Sequence, residues 1–172
     1  MSSQQSELWL MLMRHGEAEG LSHSKPDFAR QLTVEGRQAA FANATTLKNK
    51  YFLPQLGFTS EAARACETAE EVARAWGGYQ WKWERGLYHA GLPEIAQCVK
   101  ATLSSHKTPV NSILCVGHNP GWSYAVMHLS NEYVTLSTAD LAVLRVQAGG
   151  WEEALQMVGC WDLCEVIQDT RW

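Results

Sequence analysis

Two apolar runs, each ending in a glycine-flanked histidine, constrain the fold of this chain most. The first, Leu8-Trp9-Leu10-Met11-Leu12-Met13, leads straight into Arg14-His15-Gly16. The second, Ile113-Leu114-Cys115-Val116, leads into Gly117-His118-Asn119-Pro120. Near-continuous apolar runs suit strands buried on both faces, the condition of a parallel sheet covered by helices. The carboxyl ends of such strands share one edge, and ligands bind there. The two histidines are therefore expected side by side at one site, although they lie far apart in the chain.

Between and after these runs the pattern alternates. Thr33 reads as the N-cap of a helix reaching about Lys50, and Leu56–Thr59 as a short strand. Ser60 is placed to cap a helix from about Ala62 to Trp76, which Gly77-Gly78 ends. Tyr79–Trp83 alternates as a strand does, Pro93 starts a helix to about Ser104, and Pro120 opens one reaching Leu129. Leu141–Val146 and Leu155–Val158 read as strands joined through Ala148-Gly149-Gly150, a hairpin-like edge. The expected architecture is α/β: a three-layer sandwich with a mostly parallel central sheet, helices on both faces and an antiparallel edge near the C-terminus. No repeat or linker interrupts the 172 residues, so one domain is expected over 1–172, with 1–7 flexible.

Composition narrows the function. Net charge is −4 and the Lys and Arg residues are scattered, so neither nucleic acid nor an anionic membrane finds a basic surface. The first apolar run is too short for a signal-peptide core or a membrane span. Five cysteines, an odd count without a regular framework, fit reduced thiols and a cytoplasmic location. Cys160-x-x-x-Cys164 has no second Cys/His pair to complete a metal site, and neither metal nor cofactor is expected.

The chemistry that fits the predicted edge is anion binding. A phosphoryl group needs fixed positive charge on several oxygens, and arginine forks supply it. Arg14 adjoins His15, Arg64 lies one turn into the helix after Ser60, and that helix's amino end adds backbone N–H groups. Glu84 is a candidate general acid, with Glu94 and Asp140 competing for the role. The Ser22–Arg30 loop adds His23, Lys25 and Arg30, either to read a substrate or as a solvated surface.

Leu12-Met13-Arg14-His15-Gly16-Glu17-Ala18, Leu32-Thr33-x-x-Gly36, Ser60-x-x-x-Arg64-Ala65-x-x-Thr68-Ala69 and Val116-Gly117-His118-Asn119-Pro120 together resemble the histidine phosphatase superfamily, the phosphoglycerate-mutase-like group. The short, SixA-like phosphohistidine phosphatase type is the best match. The resemblance implies a metal-independent phosphatase with His15 as the phosphorylated nucleophile. It implies that Arg14, Arg64 and His118 bind the phosphoryl oxygens, while Gly16 and Asn119 shape the pocket and contribute contacts. Glu84-Arg85 followed by Tyr88 resembles the mutase-type acid segment only loosely, so Glu84 as proton donor is the weakest transfer. Only one predicted helix occupies the interval between Glu84 and His118. That brevity suggests an open site able to admit a phosphate carried on a protein. A small-molecule phosphatase or mutase, and a non-catalytic phosphate-binding module, are the alternatives.

Overall fold

The computed structural model describes residues 5–170. Six strands form one sheet: β1 (Ser6–Arg14), β2 (Leu56–Ser60), β3 (Lys82–Glu84), β4 (Ser112–Gly117), β5 (Leu141–Ala148) and β6 (Asp162–Ile167). Their spatial order is β3-β2-β4-β1-β5-β6. The first four of these run parallel, while β5 is antiparallel to both β1 and β6. The expected α/β sandwich is present.

Alternation along β1 explains the layers, because successive side chains point to opposite faces. Leu8, Leu10 and Leu12 join Phe58, Ile113 and Cys115 on one face. Helices α3 (Leu92–Leu103) and α4 (Gly121–Ser130) and the short α5 (Trp151–Ala154) cover that face through Ile95, Val99, Trp122, Val126 and Trp151. Met11 and Met13 join Leu114, Val116 and Leu141 on the other. There α1 (Val34–Lys50) and α2 (Ala63–Trp76) supply Ala40, Ala44, Leu47, Ala65, Val72 and Trp76. Thr33 caps α1 as expected, its Oγ1 accepting from the Gly36 N–H at 3.0 Å.

Four expectations need correction. Ser6 and Glu7 are not loose: they pair with Ala148 and Gln147 of β5. The rest of the N-terminal segment, 1–4, lies outside the described residues. The third strand is shorter and later than Tyr79–Trp83, because Tyr79 and Trp81 lay their rings over the space left by Gly57, where a Cβ would meet them at 2.5 and 2.8 Å. Leu155–Val158 is not a strand. Trp151 begins a helical turn, the Glu153 carboxylate accepts from the Gly149 N–H at 2.8 Å, and Leu155 and Met157 pack on the core without a ladder partner. The antiparallel edge is instead Asp162–Ile167, whose exposed Asp162 and Cys164 give it no apolar signature. Finally, the Ser60 Oγ does accept from the Ala62 N–H at 3.3 Å, but the helix begins at Ala63 and its N-cap, Ala62, has no side-chain cap.

Candidate active site

Strand register brings the two histidines together. Arg14 lies opposite Gly117 in the parallel β1–β4 pair, so His15 and His118 leave the sheet at the same edge. Their rings are 5.2 Å apart between centroids. The His15 N–H donates to the Gly117 carbonyl at 2.9 Å, which ties the two strand exits to each other.

His15 is nearly enclosed. Its Nδ1 lies 2.7 Å from the Gly16 carbonyl, so Nδ1 carries the proton and Nε2 keeps its lone pair. Arg64 Nε donates to that Nε2 at 3.2 Å. Burial, reinforced by the charges of Arg64, Arg14 and Arg30, lowers the His15 pKa to about 4 against the pull of the Gly16 carbonyl. The ring is therefore neutral at physiological pH. Gly16 itself is anchored by its N–H, which donates to Thr68 Oγ1 at 2.9 Å. Thr68 stands one turn beyond Arg64 on the buried stripe of α2 and donates to the Arg64 carbonyl at 2.7 Å. One helix face thus fixes both the loop that carries His15 and the guanidinium that faces it.

His118 is set differently. Its Nε2 is 2.8 Å from Ser60 Oγ. The Ala62 N–H donates to the same oxygen; when the Ser60 hydroxyl in turn donates to Nε2, the other ring nitrogen, Nδ1, carries the proton. Burial, with the nearby His15 and Arg64, holds the imidazole far below its ordinary pKa. His118 Nδ1 and Arg14 Nε are both buried without a hydrogen-bond partner. An orphaned buried donor costs roughly 1–3 kcal/mol, and both residues line one cavity, so the pair is suited to an acceptor with several oxygens. The other end of Arg14 is held by the Leu136 carbonyl, which Nη1 reaches at 3.0 Å.

The cavity has a volume of about 330 Å³ and is lined by Arg14, His15, Arg64 and His118 together with Asp27, Arg30, His89 and Asn119. Asp27 holds much of its wall. It accepts from Arg64 Nη2 at 3.0 Å, from Arg30 Nε at 2.9 Å and from the Tyr88 hydroxyl at 2.5 Å, and its backbone carbonyl accepts from Arg64 Nη1 at 2.7 Å. The Tyr88 hydroxyl above all, then Arg30 and Arg64, holds the Asp27 carboxyl well below the usual carboxylate range, so it is ionised.

Among protein-family models, that of the histidine phosphatase superfamily (branch 1) matches residues 10–106. The chain belongs to this superfamily. The family makes it a phosphatase by class. It is 30% identical, over 87% of its length and 72% of the other's, to an uncharacterized chloroplastic protein of Arabidopsis thaliana. Its fold is similar to that of the SixA protein of Agrobacterium tumefaciens, with a TM-score of 0.74, 23% identity and 94% and 98% of the two chains covered. It is also similar to the protein histidine phosphatase SixA solved with tungstate, at a TM-score of 0.75, 20% identity and coverage of 94% and 97%. His118 lies outside the matched residues, and the tertiary structure places this second histidine in the site.

Within this superfamily fold, the expected site residues divide. Arg14, His15, Arg64, His118 and Asn119 converge, and Gly16 holds the ring of His15. Asn119 binds the protein rather than open space: its Nδ2 donates to the Leu136 carbonyl at 2.8 Å and its Oδ1 accepts from the Ser123 hydroxyl at 2.8 Å. Glu84 does not line the cavity; it ends β3 opposite Ser60, and its charge is felt by the Cys98 thiol. Of its competitors, Glu94 accepts from the Gly91 N–H at the start of α3, and Asp140 accepts from the Ser137 N–H. In the substrate-reading loop, Lys25 is paired with Glu19 at 2.6 Å, His23 is exposed outside the cavity and Arg30 lines it. Sequence reasoning missed Asp27 and His89, and quoted Tyr88 without a role. Their only local signal is an Asp and an Arg three residues apart in the loop before α1, the spacing that lets Arg30 bridge back to Asp27.

Proposed function

We propose that this chain is a phosphatase that needs no metal, works through a phosphohistidine on His15, and acts on phosphate carried by a large molecule, protein phosphohistidine first among them. The pair of orphaned buried donors beside a neutral His15 carries the reading. The His15 Nε2 lone pair attacks phosphorus, the bond to the leaving oxygen or nitrogen breaks, and water later displaces phosphate from the ring. Charge spread over the three equatorial oxygens in the transition state is met by Arg14 Nε, His118 Nδ1 and the Arg64 guanidinium. Such fixed positive charge does the work a divalent cation does elsewhere.

The carrier's size is argued from the chain around the site. Between the end of β3 and the start of β4 there is one short 3-10 turn, Arg85–Leu87, and then α3, which packs on the core face of the sheet. Among the described residues no inserted segment roofs the cavity, and the His89 side chain that lines it is 58% exposed. Such a rim suits a phosphate held at the end of a protein side chain. A panel comparing phosphohistidine protein, phosphoserine peptide and sugar phosphates, with acid-labile phosphate trapped on His15, tests both parts. Phosphohistidine protein is expected to be turned over fastest, and His15→Ala to abolish both turnover and trapping. Faster hydrolysis of sugar phosphates would sink the assignment of the carrier, and activity retained by His15→Ala would sink the mechanism.

A further inference from the structure

A phosphate's leaving group needs a proton, and the cavity offers few groups able to give one. Arginines hold theirs at any working pH. His15 is the nucleophile of the proposed mechanism, the neutral His118 is assigned there to the phosphoryl oxygens, and Asp27 is ionised by the three groups that donate to it. Glu84, the residue first expected in this role, lies outside the cavity. Glu17 and His89 are the titratable groups of the lining that have no such assignment.

His89 is held where it is at some expense. Its φ of +52° is in the left-handed region, which costs a non-glycine residue roughly 1–2 kcal/mol. Its ring lies against that of Tyr88, tilted by 43° with centroids 3.9 Å apart, and stands 5.8 Å from that of His118. Its Nε2 is 3.6 Å from Asp27 Oδ2. The segment is pinned from behind, since Gly121, which opens α4, approaches the Ala90 carbonyl so closely that no side chain fits there. The charged and titratable groups facing the ring are thus Asp27 from the first loop, Tyr88 beside it, His118 after β4 and, beneath Tyr88, the guanidinium of Arg64.

We infer that His89 is the proton donor of the reaction, a catalytic histidine whose charged form is balanced by Asp27; this rests on the phosphohistidine mechanism proposed above. In the first step the His15 Nε2–P bond forms as the bond from phosphorus to the leaving atom breaks. The His89 imidazolium passes a ring proton to that atom, so the leaving group departs neutral. In the second step neutral His89 takes a proton from the attacking water as the water's oxygen bonds to phosphorus. The P–Nε2 bond breaks, its electron pair returns to His15, and inorganic phosphate leaves. Asp27 stays a carboxylate throughout, and its Oδ2, 3.6 Å from the ring's Nε2, attracts the charged form of His89 without a hydrogen bond.

The test uses leaving groups of different need. The nitrophenolate of para-nitrophenyl phosphate departs without help, whereas phenyl phosphate depends on the proton. His89→Asn suits the experiment because asparagine tolerates a left-handed backbone and keeps a hydrogen-bonding side chain but has no proton to transfer. The expected result is a loss in kcat/KM of roughly 100-fold or more on phenyl phosphate, within the range typical of general acid catalysis. On para-nitrophenyl phosphate the loss is expected to stay well below that. Equal losses on both substrates, or no loss on either, would overturn the assignment, as would Glu17→Gln producing the selective loss instead. If wild-type protein failed to take phosphate onto His15 from para-nitrophenyl phosphate, the proposed mechanism would fall and this assignment with it. A labelled His15 with unselective His89→Asn kinetics would remove this assignment alone.

Discussion

Gly36→Ala places a methyl group between two backbones that are both needed for the site. The Cβ would stand 2.7 Å from the Glu17 nitrogen and nearer still to the Glu17 carbonyl oxygen. Reaching the 3.4 Å at which ordinary contact begins requires the start of α1 and the Gly16–Glu17 segment to part by about 0.7 Å at the nitrogen alone. Two effects oppose each other. Alanine is the better helix former, by about 0.8–1 kcal/mol, while overpacking costs typically 1–3 kcal/mol. Neither neighbour yields easily: Thr33 caps the helix through the Gly36 N–H, and Gly16 is held by Thr68 and carries the His15 ring. The net expectation is a stability loss of about 1–2 kcal/mol, because the clash is with backbone and its cost exceeds the gain in helix propensity. The activity loss should be disproportionate. Moving a nucleophile by part of an ångström costs on the order of 100-fold in rate. Urea melts and kcat/KM on para-nitrophenyl phosphate, measured on the same preparations, separate the two effects. A variant that melted later than wild type and kept its activity would show that this contact does not position His15.

Three further outcomes follow from the same geometry. His15 is ordinarily protonated near pH 6.5 but holds a pKa of about 4 when folded, so between those values the unfolded chain binds more protons and stability falls as pH falls. Wild type should therefore lose about 3 kcal/mol relative to His15→Asn on going from pH 7 to pH 4, and NMR should find a neutral His15 with its proton on Nδ1 at pH 6. A midpoint at or above 6.5 would contradict the burial argument. Ser60→Ala removes the partner that sets the His118 tautomer. A destabilisation of about 1–3 kcal/mol is expected from the stranded ring nitrogen, together with a fall in kcat/KM of roughly tenfold; an unchanged tautomer and unchanged kinetics would refute it. Chelation by EDTA should leave turnover intact and vanadate should inhibit it, because the anion site is built from arginine and histidine; a strict divalent-metal requirement would exclude the mechanism.

Much of the fold was readable before any coordinates. The Leu8–Met13 and Ile113–Val116 runs are strands because burial on both faces of a central strand demands apolar residues throughout, a local signature. Thr33 and Gly77 likewise mark helix ends through local chemistry. Reading failed where the signal was not local. Leu155–Val158 has strand composition but forms a turn that buries Leu155 and leaves Val158 exposed, and the true edge, Asp162–Ile167, is polar because one side meets solvent. Glu84 sat at a strand end as the acid was expected to, yet its strand lies at the sheet's outer edge, away from β1.

The order of side chains alone determined that His15 and His118 would share an edge and that Arg14 and Arg64 would join them, and from it came the expectation of an anion site. These follow from strand direction and charge, which are properties of short segments. The tertiary structure decided what holds each ring: the carbonyl of the neighbouring Gly16, fixed in place by Thr68 from α2, holds Nδ1 of His15, and Ser60 Oγ from the end of β2 meets Nε2 of His118. It also decided that Asp27, Tyr88 and His89, from two separate loops, close the wall opposite His15. Loops carry no periodicity that announces where they will fold back, so their chemistry becomes visible only when packing has brought the ends together.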